Sequence, residues 1–163
     1  MSLMSKIKVL FVCLGNICRS PTAEGVFRKL SSQHSELDNL EIDSCGISGY
    51  HQNEPSDRRS VSTAKARGYD LTGIRSRKIR VQDLRDYDYI LAMDNSNLES
   101  LKELAINNGI RINKINLFTY FSAQNTVEEI PDPYYGGSTG FDDVITLIEN
   151  ASMGLIEHLI AKK

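Results

Sequence analysis

Between Ile7 and Val12 the chain is β-branched and apolar except for Lys8, and the run stops at Gly15 and Asn16. That pattern predicts a short strand buried on both faces. The spacing then changes. Ala23, Val26, Phe27 and Leu30 recur at helical intervals, with Glu24, Arg28 and Lys29 on the opposite face and Pro21 suited to a first turn, so a helix is predicted from Thr22 to about Leu30. The alternation continues with strands over Leu40 to Cys45, Tyr87 to Met93 and Lys114 to Leu117, and helices over Ser56 to Arg67 and Asn95 to Ile106. A long helix from about Phe141 to Ala161 closes the chain. Strands separated by helices give an α/β fold: a three-layer, open, four-stranded parallel sheet with helices on both faces and right-handed crossovers. Ligands of such sheets bind beyond the carboxyl ends of the strands.

At 163 residues, 40% hydrophobic and 25% charged, the chain has the size and balance of one domain over 1–163, with 1–5 read as a leader or a disordered tail. A formal charge of -2 gives no broad electropositive surface, so neither nucleic acid nor an anionic membrane is an expected partner, and any anion must be bound locally. The apolar run near the N-terminus, Val9 to Leu14, is too short to span a bilayer. Cys13, Cys18 and Cys45 are an odd number in a chain long enough to fold without staples, which favours a reducing, cytoplasmic setting over a disulfide framework. His34, His51 and His158 lack ligand-like spacing, so no metal is expected. His34 and His158 read as solvated helix positions, and the cluster Arg75, Arg77, Lys78 and Arg80 reads as a solvated basic face. Two irregular stretches remain, Gly46 to Pro55 and Tyr120 to Gly140, and the second exceeds ordinary connection lengths, which points to function.

The first strand meets the first helix in Cys13-Leu14-Gly15-Asn16-Ile17-Cys18-Arg19-Ser20-Pro21. In such a loop successive backbone N–H groups curl around a concavity, and the helix N-terminus adds the positive end of its dipole. Gly15 permits the tight turn, and Asn16 is the non-glycine type best able to adopt a left-handed conformation. Leu14, Gly15, Asn16, Ile17, Cys18, Arg19 and Ser20 would then surround a bound phosphate. The dipoles and the Arg19 charge that bind phosphate also stabilise a thiolate at Cys13, which makes it a nucleophile. Arg19 can hold two phosphate oxygens with its planar guanidinium, and hold them hardest as charge shifts in the transition state. Ser20 can donate to the thiolate and assist it as a leaving group. A buried cysteine at a strand end is usually just a small hydrophobe. Its conjunction with a Gly-Asn pair, an arginine six residues on, a hydroxyl and a helix-starting proline favours chemistry.

This segment resembles the C-x5-R-S loop of the low-molecular-weight protein tyrosine phosphatases, including the internal Leu-Gly-Asn-Ile-Cys. The resemblance continues in order and spacing through Asp43-Ser44, Ser48-Gly49-Tyr50, Asp88-Tyr89-Ile90-Leu91, Met93-Asp94-Asn95-Ser96-Asn97-Leu98 and Asp132-Pro133-Tyr134-Tyr135-Gly136, and so covers most of residues 6 to 160. It implies hydrolysis of phosphotyrosine in a protein or peptide through a cysteinyl-phosphate on Cys13, without a cofactor, by a monomer or weak dimer. A cysteine phosphatase needs a general acid above the loop. Asp132, stiffened between Pro131 and Pro133, is the residue the resemblance assigns to that role and to activating water afterwards. Asn16, Ser20 and Ser44 would support the loop. Tyr50 occupies the family's specificity position and Leu14 would line the inner wall, with Tyr134 and Tyr135 walling a slot for a flat ring. His51 falls near the mouth. Asp94 reads equally as a partner of the Arg19 region or as a helix cap. Ile74 stands where some members carry a loop-supporting histidine. Cys18 could capture oxidised Cys13 as a reversible disulfide, or merely pack behind the loop.

Three other readings are weaker. Phosphoarginine hydrolases resemble this chain but tend to carry threonine at the position of Ile17. Arsenate reductases of the same fold need an additional cysteine pair near residues 80 to 95, and Arg80 to Asn95 contains none. A non-catalytic phosphate-binding module would have no need to retain Cys13, Arg19 and Asp132 together.

Overall fold

The computed structural model describes residues 6–123, 128–135 and 138–163; residues 1–5, the Gly136-Gly137 pair and the side chain of Tyr135 lie outside the described residues. Four strands, β1 (Ile7–Cys13), β2 (Leu40–Gly46), β3 (Tyr89–Ala92) and β4 (Ile115–Leu117), form one parallel sheet in the order β2-β1-β3-β4. β1 is central, and the chain crosses to opposite sides of it on leaving β1 and β2, so the end of β1 lies at the topological switch point where such sheets bind ligands.

The pleat explains why β1 carries no polar alternation. Val9, Phe11 and Cys13 face one core with α1 (Arg19–Ser31), α2 (Arg58–Ala66) and α5 (Ser138–Ala161), while Leu10 and Val12 face a second core with α3 (Val81–Asp86) and α4 (Asn95–Asn107). Each face of the sheet is therefore covered. On the first face Phe11 stacks edge-on with Phe27 at 5.6 Å and Phe118 at 4.9 Å. The segment Gly140–Ala161 of α5 is long and apolar enough by composition to cross a bilayer, with a mean hydropathy of 1.3, but Val144, Ile145, Ile148, Ala151, Leu155 and Leu159 are buried in this core.

Several boundaries differ from the sequence reading. The first helix begins at Arg19 rather than Thr22, which puts Pro21 third in the first turn, where it has no helical N–H to forfeit. The second begins only at Arg58, because the Asp57 side chain caps it by accepting the Arg59 N–H at 2.8 Å. α3 went unpredicted, being too short to display a period. His158 does lie in a helix but is half-buried rather than fully solvated. Its ring lies edge-on to Tyr89 at 5.7 Å and Phe121 at 5.1 Å, and burial, with the Lys162 charge, pushes its pKa down. His34 is half-buried and precedes a 3-10 turn, Ser35–Leu37, rather than sitting in a helix.

Candidate active site

The loop after β1 has the predicted shape. Asn16 is left-handed, with φ of 57°. Cys13 lies at the floor of the concavity, 3% exposed; its Sγ accepts the Asn16 N–H at 3.3 Å and lies 3.0 Å from Ser20 Oγ. Gly46, at the end of β2, had been read only as the start of an irregular stretch. The loop passes so close that a Cβ there would stand 2.8 Å from Leu14 O and 3.1 Å from Asn16 N, so this position excludes every other residue type.

A directed chain of hydrogen bonds supports the loop from behind. Asn16 Oδ1 accepts the Arg77 backbone N–H at 3.0 Å, which fixes the amide so that Nδ2 donates to Ser20 Oγ at 2.8 Å and to Ser44 Oγ at 3.0 Å. Ser44 Oγ in turn donates a hydrogen bond to Glu24 Oε1 at 2.6 Å. Ser20 Oγ already accepts from Asn16, so its proton is available to the Cys13 sulfur at 3.0 Å or the Cys45 carbonyl at 3.3 Å, and a charged sulfur is the stronger acceptor.

Asn16, Ser20 and Ser44 thus come together as expected, and two further participants were missed. Glu24 was assigned to the polar face of α1 but is 6% exposed; burial raises its pKa, against hydrogen bonds from Ser44 and Arg28 that lower it. Arg77 is no part of a solvated basic face. Its guanidinium pairs with Asp83 at 2.9 Å and Asp43 at 3.1 Å, and this anchorage holds the main chain that meets Asn16. Ile74 is a partly buried packing position, so backbone rather than a side chain at 74 completes the network.

Arg19 is 3% exposed and held on its far side. Nη1 donates to Asp94 Oδ2 at 2.7 Å and to the Ile130 carbonyl at 3.0 Å, while Nη2 faces Asp132 Oδ2 at 3.7 Å. The two readings of Asp94 are both correct: its other oxygen accepts the Asn97 N–H at 2.8 Å and caps α4. Ile130 is tied to the end of β3 by its N–H to Met93 O at 2.8 Å, and this sets the height of Asp132 two residues on. Asp132 in turn accepts the Tyr134 N–H at 2.9 Å within a 3-10 turn, Pro133–Tyr135.

Cys13, Leu14, Gly15, Ile17, Cys18 and Arg19 form the floor and one side of a cavity of about 470 Å³, with Ser48, Tyr50, His51, Asp132 and Tyr134 around its mouth. That volume and mix of apolar walls with a few polar groups is typical of a small-ligand site. Leu14 and Tyr134 are walls as expected; Tyr50, at 85% exposed, stands out from the rim. His51 lines the mouth, its Nδ1 2.8 Å from Glu54 Oε2. Ser48 entered the sequence reading only as part of the Ser48-Gly49-Tyr50 match, with no role assigned to it. Cys18 is buried, and desolvation together with the Asp57 charge pushes its thiol up to about 12. The arrangement can bind an oxyanion at its floor, present a sulfur nucleophile from beneath and offer a carboxyl group from above.

Known proteins carry the same pattern. The family model described as low molecular weight phosphotyrosine protein phosphatase matches residues 8–163. The Homo sapiens low molecular weight phosphotyrosine protein phosphatase is 42% identical over 136 residues, 83% of this chain and 85% of that protein. Among solved structures, YfkJ from Bacillus subtilis aligns with a TM-score of 0.91 at 35% identity over 99% of both chains. A Drosophila arginine phosphatase aligns with a TM-score of 0.87 at 34% identity over 94% of this chain and 98% of that one. Sequence and fold agree over nearly the whole length, and the chain belongs to the low molecular weight protein tyrosine phosphatase family.

Proposed function

We propose that this phosphatase hydrolyses phosphotyrosine in two steps, with Cys13 as nucleophile, Arg19 as transition-state clamp and Asp132 as acid and then base. The observation that carries this reading is the convergence of Cys13, Arg19 and Asp132 on one cavity with aromatic and aliphatic walls, with the Ser20 hydroxyl behind the sulfur at 3.0 Å. In the first step the Cys13 thiolate attacks phosphorus, the P–O bond breaks, and Asp132 passes its proton to the departing phenol oxygen. In the second, Asp132 takes a proton from water as the water attacks phosphorus and the S–P bond breaks; Ser20 donates to the departing thiolate, and inorganic phosphate leaves. Arg19 already has its Nη1 committed to Asp94 and Ile130, so its fork is pre-aligned for the equatorial oxygens.

The depth of the sulfur supports an aryl substrate, because a phosphate on a long flat side chain reaches the floor without drawing peptide backbone into the cavity. Phosphoarginine also has that reach, and the likeness to the Drosophila arginine phosphatase makes it the second reading. Ile17, which lines the pocket, favours a ring over a guanidinium. Peptides matched except for phosphotyrosine, phosphoserine or phosphoarginine separate these. Phosphotyrosine should lead in kcat/KM by about 10²-fold, the scale on which pocket contacts discriminate. A phosphoarginine preference would replace the reading. The three free thiols suit a reducing cytosol, and activity should remain in the soluble fraction after lysis; recovery with membranes would refute that setting.

Reversible oxidation belongs to the same proposal. Peroxide would convert the Cys13 thiolate to a sulfenic acid, and attack by Cys18 would form the disulfide and release water. Because the Cys18 thiol is held up near 12, capture should be slow at neutral pH and quicken as pH rises. Wild type and Cys18→Ser are treated with peroxide, then with a dithiol, and compared by recovered activity and by the mass of the Cys13 peptide. Equal recovery without a crosslink would leave Cys18 as packing.

A further inference from the structure

Arg59, in the first turn of α2, makes an unusual set of contacts for a half-exposed side chain. Nε and Nη2 hold Asp57 at 3.2 and 3.1 Å, and Nη1 donates to the Tyr134 carbonyl at 3.3 Å. Its guanidinium also lies 5.1 Å from the Tyr134 ring centroid and 4.7 Å from that of Phe141, so it is bracketed by two aromatic faces. At the other end, the Asp57 N–H donates to Ile17 O in the phosphate loop at 2.8 Å. Burial alone would raise the Asp57 carboxyl, but the side-chain and backbone hydrogen bonds of Arg59 hold it below the ordinary carboxylate range.

These contacts form one route from the phosphate loop to the acid: Ile17 to Asp57, Asp57 to Arg59, Arg59 to Tyr134, and the Tyr134 N–H to Asp132 Oδ1 at 2.9 Å. We infer that Arg59 is a positioning residue that fixes the Tyr134 wall and, through it, the Asp132 carboxyl over the phosphate loop. It lies outside the cavity lining and touches no reacting atom. A planar guanidinium is required, because one flat group must stack on two rings while donating in its own plane to a carboxylate and a carbonyl, and an ammonium cannot do both.

The inference rests on Asp132 being the general acid, and the test separates the two. kcat/KM, which reports cleavage of the P–O bond, is measured for phenyl phosphate and for a dinitrophenyl phosphate whose leaving group needs no proton. Asp132→Ala should lose about 10²-fold on the first substrate and little on the second. Arg59→Ala should repeat that asymmetry at smaller scale, about tenfold on phenyl phosphate and under about twofold on the activated ester, as a displaced rather than deleted acid would. Arg59→Lys should stay nearer to Arg59→Ala than to wild type. In the Asp132→Ala background, Arg59→Ala should cost under about twofold more, since coupled residues are not additive. Retained activity on the activated ester and an unchanged dissociation constant for inorganic phosphate serve as the folding control. If Arg59→Ala lowers both substrates equally, or adds its full effect to Asp132→Ala, Arg59 is not acting through the acid and the inference falls while Asp132 stands. If Asp132→Ala itself lowers both substrates equally, the acid assignment falls and the role of Arg59 with it.

Discussion

Replacing Cys13 by serine should lower kcat by about 10⁴-fold or more while the affinity for inorganic phosphate stays within a few-fold of wild type. Two features separate the effects. In the proposed mechanism binding is carried by backbone N–H groups of the loop and by Arg19, none of which the exchange touches. Chemistry depends on an ionised nucleophile, and a serine hydroxyl is not ionised in the same setting. Nor can Ser20 compensate: it is fully buried behind the sulfur position and outside the cavity lining, held there by Asn16 Nδ2 at 2.8 Å. Isothermal titration with inorganic phosphate alongside single-turnover kinetics tests both halves. Turnover near wild type in Cys13→Ser would sink the covalent mechanism. Lost binding with equally lost turnover would mean that the sulfur shapes the loop rather than attacks.

Arg19→Lys is the second large effect, at about 10³-fold in kcat/KM, the scale of removing a transition-state donor from a preorganised site. The exchange looks conservative, but Arg19 holds Asp94 at 2.7 Å and the Ile130 carbonyl at 3.0 Å at fixed angles, and the proposed mechanism adds the phosphate oxygens. A single ammonium on a shorter reach can satisfy the Asp94 pair and little else. The Ile130 carbonyl then loses its donor in a buried place, a cost of about 1–3 kcal/mol that should also appear as a lower melting temperature. Comparing Arg19→Lys with Arg19→Ala isolates geometry from charge. If lysine recovers most of the activity that alanine loses, the planar fork is not what the reaction uses.

Most of this site was legible because its chemistry is local. The proposed nucleophile and clamp, the turn and the hydroxyl fall within Cys13 to Ser20, and the pattern of apolar positions before and after fixed the strand and helix that shape them. What sequence reading could not see were pairings between distant segments. Arg77 meets Asn16 across 61 positions and Arg59 meets Tyr134 across 75, and nothing at either end of such a pair announces the other. Glu24 was hidden for a different reason: helical spacing assigns a side, not a depth, and the polar side of α1 turns toward Ser44 at that level. Asp94 was legible only as two competing roles, because a sequence does not say that a carboxylate has two oxygens to share between a helix end and an arginine. The short α3 escaped because six residues cannot display a helical period.

The path of the chain through the sheet also sets a timetable. The ribosome delivers Cys13 and Arg19 early, on the central strand and the helix that follows it, but Asp132 comes much later and α5 last of all. Until α5 docks against α1, the core face of Val9, Phe11, Val26 and Phe27 lacks the cover provided by Ile145, Ile148, Leu155 and Leu159. The nascent chain thus carries a sticky apolar face, of the kind chaperones recognise, through most of its synthesis. Asp132 and the last wall of the core follow one another closely along the chain, so the carboxyl and the Cys13 loop meet over a covered core only once α5 closes over α1.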